Sequence, residues 1–512
     1  MRYRAMFGTV GAVLFLFTFT FLPPFIVGAA YGEDPTVLYK AFIIPFFISL
    51  MVSFLLWLWG RDEIDMIRER EAVVAVAISW LTMAFFGSLP YVFSGILPHL
   101  ADAYFESMSG FATCGATVID PPVVGHAPDG TPIFGDYMDY PNAHSIFLWR
   151  SLTQWVGGMG IIVFSVVIIA KLLGGTVQLF KAETAGETVT RIKPKIQQTA
   201  SILLRIYILF TAVEAALLWG AGVNLYDAVN YSFTTLATGG FGTHSSSVAY
   251  WDSPLIEGII TFFMILGSIS FVLHYKVLSG SWKSILRDPE LRAYIGSLIF
   301  FSLLITIVLS VQGVREDYSS TEYIKMNPLS ALRYSVFQVV SIHATAGYAS
   351  FDYNLWPQSA QFILVILMLI GGCVGSTAGA IKMSRILVLS RMARREIQKV
   401  LHPRAVIPIR LGDKVVPEDV VKKIGVFFFA YISLFFFSSI VMTFFGLDIP
   451  SAISAVATTM GGVGPGIGMV GPTQTFSFIN PVGKIYLSLC MWAGRLEIFS
   501  AIIIFFPSTY KE

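Results

Sequence analysis

The sequence predicts an all-α polytopic membrane protein, and three observations predict it. Of 512 residues, 55% are hydrophobic and only 13% charged, where a soluble domain carries about 25% charged residues; mean hydropathy is +0.71. Long apolar runs recur along the whole chain, beginning with residues 5–30 and 38–60. Four glycine-centred stretches recur at a spacing of roughly 110–120 residues, too long for a solenoid unit and suited to a small membrane module. They read Thr113-Cys114-Gly115-Ala116, Ala237-Thr238-Gly239-Gly240, Thr345-Ala346-Gly347-Tyr348 and Gly462-Val463-Gly464-Pro465. Together these give four pseudo-repeats of helix–pore helix–helix around a central pore, plus two N-terminal helices.

Each element has its reason. The run at 5–30 follows Arg2 and Arg4 and is too long for the apolar core of a cleavable signal peptide. It is read as a retained helix, paired with 38–60 in an N-terminal unit over residues 1–71. The first repeat, 72–198, has an outer helix at 72–97, a half-helix at 101–112 and an inner helix at 143–173. The second, 199–292, has helices at 199–221 and 254–280 around a half-helix at 225–237. The third, 293–421, has 293–313, 328–344 and 358–392; the fourth, 422–512, has 422–446, 449–461 and 480–507. About a dozen residues reach half way across a bilayer and do not span it. A half-helix ending in a glycine turn at that depth survives only where it lines a water-filled path or is buried in protein.

Charge sets the orientation. Basic residues cluster after Trp59 (Arg61, Arg68, Arg70), after Ala170 (Lys171, Lys181, Arg191, Lys193, Lys195), after Tyr275 (Lys276, Lys283, Arg287, Arg292) and after Ile381 (Lys382, Arg385, Arg391, Arg394, Arg395, Lys399). The segment 118–142 has no Lys or Arg but carries Asp120, Asp129, Asp136 and Asp139. The positive-inside rule then puts both termini and the basic segments in the cytoplasm, and the glycine stretches open to the outside.

Backbone chemistry suggests what the stretches do. A K⁺ filter replaces the ion's water shell with rings of carbonyl oxygens. The dihedrals that align such carbonyls favour glycine, so the flanking side chains are free to differ. The candidate ligands are the backbone carbonyls of Thr113, Cys114, Gly115, Ala237, Thr238, Gly239, Thr345, Ala346, Gly347, Gly462, Val463 and Gly464. The C-terminal end of each half-helix adds partial negative charge toward a cation.

Other chemistries find no support. Cys114, Cys373 and Cys490 fit neither a zinc pattern nor a disulfide framework. No basic tract with interleaved aromatics suggests nucleic acid. No carboxylate pair, His–Glu cluster or serine–base pair suggests a membrane enzyme. Gly466-Ile467-Gly468-Met469-Val470-Gly471 matches a dinucleotide fingerprint formally, but follows no strand. K⁺ is the expected transported ion, and no organic cofactor is expected in this chain.

The run from Gly371 to Lys382 (Gly-Gly-Cys-Val-Gly-Ser-Thr-Ala-Gly-Ala-Ile-Lys) closely resembles the glycine-rich intramembrane loop of the Trk/Ktr/HKT superfamily of K⁺ transporters. The run from Trp149 to Gly160 is similar to the start of that family's first inner helix. Gly464-Pro465-Gly466-Ile467-Gly468 and Gly494-Arg495-Leu496-Glu497 resemble its fourth filter and last helix. The resemblance covers nearly the whole chain, and the two extra N-terminal helices point to the bacterial Trk-type membrane subunit. It implies a K⁺ uptake pore with fourfold pseudosymmetry, a homodimer, and a cytoplasmic nucleotide-binding (NAD/ATP-type) regulatory ring. The basic segment 392–417 is the candidate docking surface for that ring. One departure leaves the ion preference open: Gly461-Gly462 stand where relatives often carry an Asn pair.

The loop reads as a gate. Gly371, Gly372, Gly375, Ser376, Thr377, Ala378 and Gly379 form weak helix and should unwind in mid-span. Arg495, deep in the last span, is costly there and calls for a cavity or a partner. It is placed below the filter against this loop; the alternative is a buried pair with Glu497, Glu214 or Glu106. Lys382 and Arg385 are anchor charges or ordinary inside-facing basic residues. His244 and His343, beside the second and third stretches, are proton sensors or plain vestibule residues. The competing function is an H⁺- or Na⁺-coupled symporter whose broken helices form an occluded site.

Overall fold

The computed structural model describes residues 1–64, 67–127, 131–164, 192–320 and 322–507. The expectations for 165–173 of the first inner helix, and for Asp129, Lys171, Lys181 and Arg191, lie outside these residues. The described residues are mostly helical, with three two-stranded hairpins in their connections.

Two N-terminal helices, α1 (Tyr3–Ala30) and α2 (Pro35–Gly60), pack on each other along their length. Their approach is close because Gly8, Gly11 and Gly60 present no side chain at the crossing. The hairpin docks on the first repeat through Phe21, whose ring stacks on Trp149 at 4.8 Å. That repeat comprises α3 (Glu69–Ser94), the half-helix α4 (Leu100–Phe111) and α5 (Ala143–Phe164). The second has α6 (Ile192–Gly220), half-helix α7 (Leu225–Leu236), then α8 (Pro254–Ser268) and α9 (Phe271–Leu278). The third has α10 (Pro289–Gln312), half-helix α11 (Pro328–His343), α12 (Gln358–Met368) and α13 (Met383–Leu401). The fourth has α14 (Glu418–Phe444), half-helix α15 (Ile449–Gly461), α16 (Pro481–Arg495) and α17 (Ile498–Ile502).

Among the described residues six helices are long and apolar enough to cross a membrane, and the bent α8–α9 pair makes a seventh. The outer helices turn large apolar side chains outward; Phe429 is 74% and Phe444 84% exposed. The polar residues of the half-helices are buried instead. This inside-out distribution suits a lipid surround with a polar centre. The half-helices have 12, 12, 16 and 13 residues, or about 18–24 Å at 1.5 Å per residue.

The sequence reading made the inner helices of the second and fourth repeats continuous, and the structure corrects it. α8 ends at Ser268 and α9 leaves at 100° to it. The break follows from competition for backbone partners. The Gly267 and Ser268 carbonyls accept the N–H groups of Thr377 (3.2 Å) and Cys373 (2.9 Å), not those one helical turn on. In return the Phe271 N–H donates to the Gly375 carbonyl at 3.0 Å. The third repeat's unwound segment thus plugs into the second repeat's break. In the fourth repeat Glu497 adopts φ 60°, which stops α16 and starts α17.

Candidate ion pathway

The four half-helices end alike. Just past each helix end, an amide reaches back five residues to a carbonyl of the last turn: Cys114 to Ser109 (2.8 Å), Gly239 to Thr234 (2.8 Å), Ala346 to Ser341 (2.8 Å). In the fourth, Val463 reaches Thr458 at 2.9 Å. This is the closure that left-handed residues give a helix end. The left-handed residues are Thr113 (φ 50°), Thr238 (φ 52°), Thr345 (φ 57°) and Gly462 (φ 70°). Each is followed, two residues later, by a second at Gly115 (φ 86°), Gly240 (φ 74°), Gly347 (φ 77°) and Gly464 (φ 107°). Three threonines held there store strain, of order 1–3 kcal/mol each.

These dihedrals correct the register of the second stretch. The equivalent of Gly115 is Gly240, not Gly239. Ala237 is the helix cap, matching Ala112 and Ala344. Adjacent glycines made the frame ambiguous in the sequence; the helix end resolves it.

The stretches meet. A Cβ on Gly115 would sit 2.2 Å from the Gly239 carbonyl oxygen, one on Gly240 1.7 Å from that of Ala346, and one on Gly347 1.8 Å from that of Val463. One on Gly464 would sit 2.8 Å from the Cys114 oxygen. Each glycine faces the carbonyl of the residue before the equivalent glycine in the next repeat. The four therefore close head to tail, in the order one, two, three, four, one.

Side chains behind the ring fix it. Buried Gln154 of α5 donates to the Gly239 carbonyl (2.7 Å) and accepts from Phe241 N–H (3.1 Å). Arg150, one turn away, pairs with Glu106 of α4 at 2.6 Å and donates to the Gly242 carbonyl at 3.0 Å. Both ions are buried; Glu106 also accepts from Val118 N–H at 2.9 Å. The Tyr348 hydroxyl reaches Thr234 (2.5 Å) and Thr235 (3.1 Å) of α7. The intramembrane-charge argument applied to Arg495 applies equally to Arg150 and finds it; Gln154 had no such signal.

On one side of the ring lies the unwound segment between α12 and α13. Its ends pair as a short parallel bridge, Ile370 with Ile381, and Gly371 N–H donates to the Ile381 carbonyl at 3.0 Å. The Gly372 carbonyl accepts from Met383 N–H at 3.1 Å. Ser376 closes a local turn on the Cys373 carbonyl at 2.6 Å. The Thr377 hydroxyl lies 2.9 Å from the carbonyls of both Leu236, at the end of α7, and Gly267, at the break. Gly379 N–H donates to the Thr345 hydroxyl of the third stretch at 2.7 Å. Lys382 donates to the Ala378 carbonyl. One carboxylate oxygen of Glu290, at the start of α10, accepts from both Val374 and Ser384, each at 2.9 Å, and so staples the two feet of the loop.

Arg495 touches this loop. It donates to the Thr377 carbonyl at 2.6 Å and the Gly157 carbonyl of α5 at 3.3 Å. The considered acidic partners are engaged elsewhere or distant: Glu497 holds Arg385 at 2.7 Å, Glu106 holds Arg150, and Glu214 makes no hydrogen bond with its carboxylate. Among the described residues Arg495 bridges carbonyls and completes no ion pair. Lys382 and Arg385 are likewise tied to the loop and its surroundings.

The two histidines separate. His343 is the last residue of α11 and fully buried, bonded to Ser297 (2.7 Å) and the Ile370 carbonyl (2.7 Å). It is not a vestibule residue, because it sits on the half-helix and not beyond it. His244 lies in the connection after the second stretch, between Asp136 and Asp227 (3.0 Å), and stacks on Tyr250 at 3.6 Å. Burial opposes its charge, but the flanking carboxylates outweigh it and raise its pKa to about 9.

A fourfold ring of backbone in a polytopic helical chain, with an unwound loop against it, is the arrangement of a membrane transport protein. A family model described as "TrkH: Cation transport protein" matches residues 38–511. The chain belongs to the TrkH family of cation transport proteins. It is 37% identical to the Trk system potassium uptake protein TrkH of Escherichia coli K12 and 35% to that of Vibrio parahaemolyticus, covering 100% of each pair. Its structure is similar to the crystal structure of the potassium transporter TrkH from Vibrio parahaemolyticus, at TM-score 0.85 and 33% identity over 100% of both chains.

Proposed function

We propose that this chain takes up K⁺ through the glycine ring, with the 369–382 loop and Arg495 as its gate. The observation that carries the reading is the cyclic order in which each ring glycine faces the next repeat's carbonyl. Backbone oxygens brought together from four sides are what a dehydrated monovalent cation needs. The names of the relatives, potassium uptake proteins and a potassium transporter, support K⁺ as the ion. The filter is Thr113 to Gly115, Thr238 to Gly240, Thr345 to Gly347 and Gly462 to Gly464. The loop sits immediately against it and would have to move for ions to pass.

The finer reading has the protein in the bacterial inner membrane with both termini cytoplasmic. It works as a homodimer on a nucleotide-binding regulatory ring that docks along α13 and the segment after it. The basic residues of that segment and its exposed apolar side chains, Ile397, Val400 and Val406, support a docking role. The test is ⁸⁶Rb⁺ uptake into vesicles holding purified protein, with Na⁺ as competitor. Saturable Rb⁺ entry that Na⁺ fails to suppress is expected. Equal suppression by Na⁺ and Rb⁺ would remove the selective-pore reading, and transport without single-channel current would favour a coupled symporter.

A further inference from the structure

The loop also lines a cavity of about 260 Å³. Lys382, Arg385 and Arg495 line this cavity, and Glu497 is the sole acidic residue among its described lining. Three cations against one carboxylate leave two positive charges in excess, and Glu497 is already held by Arg385. Arg495 uses two of its nitrogens on carbonyls, but its buried Nε has no partner. Much of the remaining wall is apolar, with Phe427 and Phe499 facing each other edge to face at 5.9 Å. Uncompensated charge in such surroundings is unfavourable, and a counter-ion relieves it. Arginine and lysine together suit phosphoryl oxygens. The volume far exceeds the roughly 30 Å³ share of one water.

We propose that this cavity binds a phosphate-class anion, held by Lys382, Arg385 and Arg495, its source an anionic phospholipid headgroup or free phosphate. Bound there, the anion offsets the positive field that the three side chains set beneath the ring. That consequence for conduction rests on the pore reading; binding does not, and it is measured separately.

The experiment is native mass spectrometry of the full chain in neutral detergent, with added phosphatidylglycerol, phosphatidylcholine or inorganic phosphate. The wild type retains one phosphate-bearing ligand per chain. Lys382→Gln/Arg385→Gln weakens retention at least about tenfold, Arg385→Lys restores part of it, and the control pair Lys283→Gln/Arg287→Gln leaves it unchanged. Arg385→Gln alone serves if the double variant does not fold. Retention of phosphatidylglycerol without inorganic phosphate assigns the lipid headgroup; the reverse assigns the free anion. Retention of neither, or equal retention by wild type and cavity variants, overturns the proposal. In vesicles, ⁸⁶Rb⁺ flux then changes with the same anion in the wild type only. Intact binding with unchanged flux would remove the conduction consequence and leave the site.

Discussion

Gly240→Ala tests the ring and its register together. The added Cβ falls 1.7 Å from the Ala346 carbonyl oxygen, where at least 3.0 Å is needed, so that oxygen must retreat by at least 1.3 Å. The retreat moves a backbone group of the third stretch, which no side-chain rotation relieves. Alanine also pays about 1–2 kcal/mol for the left-handed conformation at φ 74°, a factor of about 5–30 in an equilibrium. Gly239→Ala is different in kind. Its Cβ meets the Gln154 side chain at 2.4 Å, and Gly239 is not left-handed. The cost there is a displaced side chain and a hydrogen bond of roughly 1 kcal/mol. The assay is the Rb⁺/Na⁺ ratio of uptake into vesicles, in wild-type and Gln154→Ala backgrounds. Gly240→Ala should lower the ratio about 5–30-fold in both. Gly239→Ala should add nothing once Gln154 is alanine, as expected when a mutation acts through one neighbour. An unchanged ratio in Gly240→Ala would refute the ring, and a larger, Gln154-independent effect of Gly239→Ala would refute the register.

Arg495→Gln removes the charged donor from the Thr377 and Gly157 carbonyls; at about 1.5–3 kcal/mol per charge-assisted bond, basal Rb⁺ flux should rise at least about tenfold, and unaltered flux would take Arg495 out of the gate. Glu290→Ala leaves the Val374 and Ser384 amides without their shared acceptor, so hydrogen exchange across 374–384 should quicken while the exchange of α10 stays slow. Glu106→Gln should lower thermal stability by about 3–5 kcal/mol because Arg150 is left buried and unpaired, whereas Glu106→Met/Arg150→Met should recover most of it; equal losses would argue against a buried pair. For His244 the folded pKa, about 9, lies above its ordinary 6.5. Its contribution is therefore complete below about pH 6.5 and lost as pH rises through about 9. Protection of the 136–140 segment should fall over that window and lose its pH dependence in His244→Gln.

What the sequence made legible was what local chemistry decides. The half-helices announced themselves by length and by the glycines after them, and the loop by a density of residues that no helix tolerates. Partner choice was not legible. Nothing in Gly267-Ser268 says that their carbonyls will take amides from residues more than a hundred positions away, so α8–α9 read as one helix. The frame of Gly239-Gly240 was hidden for the same reason, since either glycine satisfies the pattern. Glu290 drew no attention in the sequence; its role exists only once both feet of the loop are brought to it. Arg150 and Glu106 lay in motifs noticed for other reasons, and only folding puts them in contact.

Four copies of one subunit would repeat any plug four times, and four identical plugs crowd a single axis. Joining the quarters into one polypeptide lifts that constraint. Here one quarter supplies the unwound segment, its neighbour the notch that receives it, and a third the arginine that pins it. The fourth stretch carries a glycine where the others hold a strained threonine. Covalent linkage thus permits division of labour: a near-symmetric ring of backbone, with an asymmetric segment seated against it that belongs to one quarter alone.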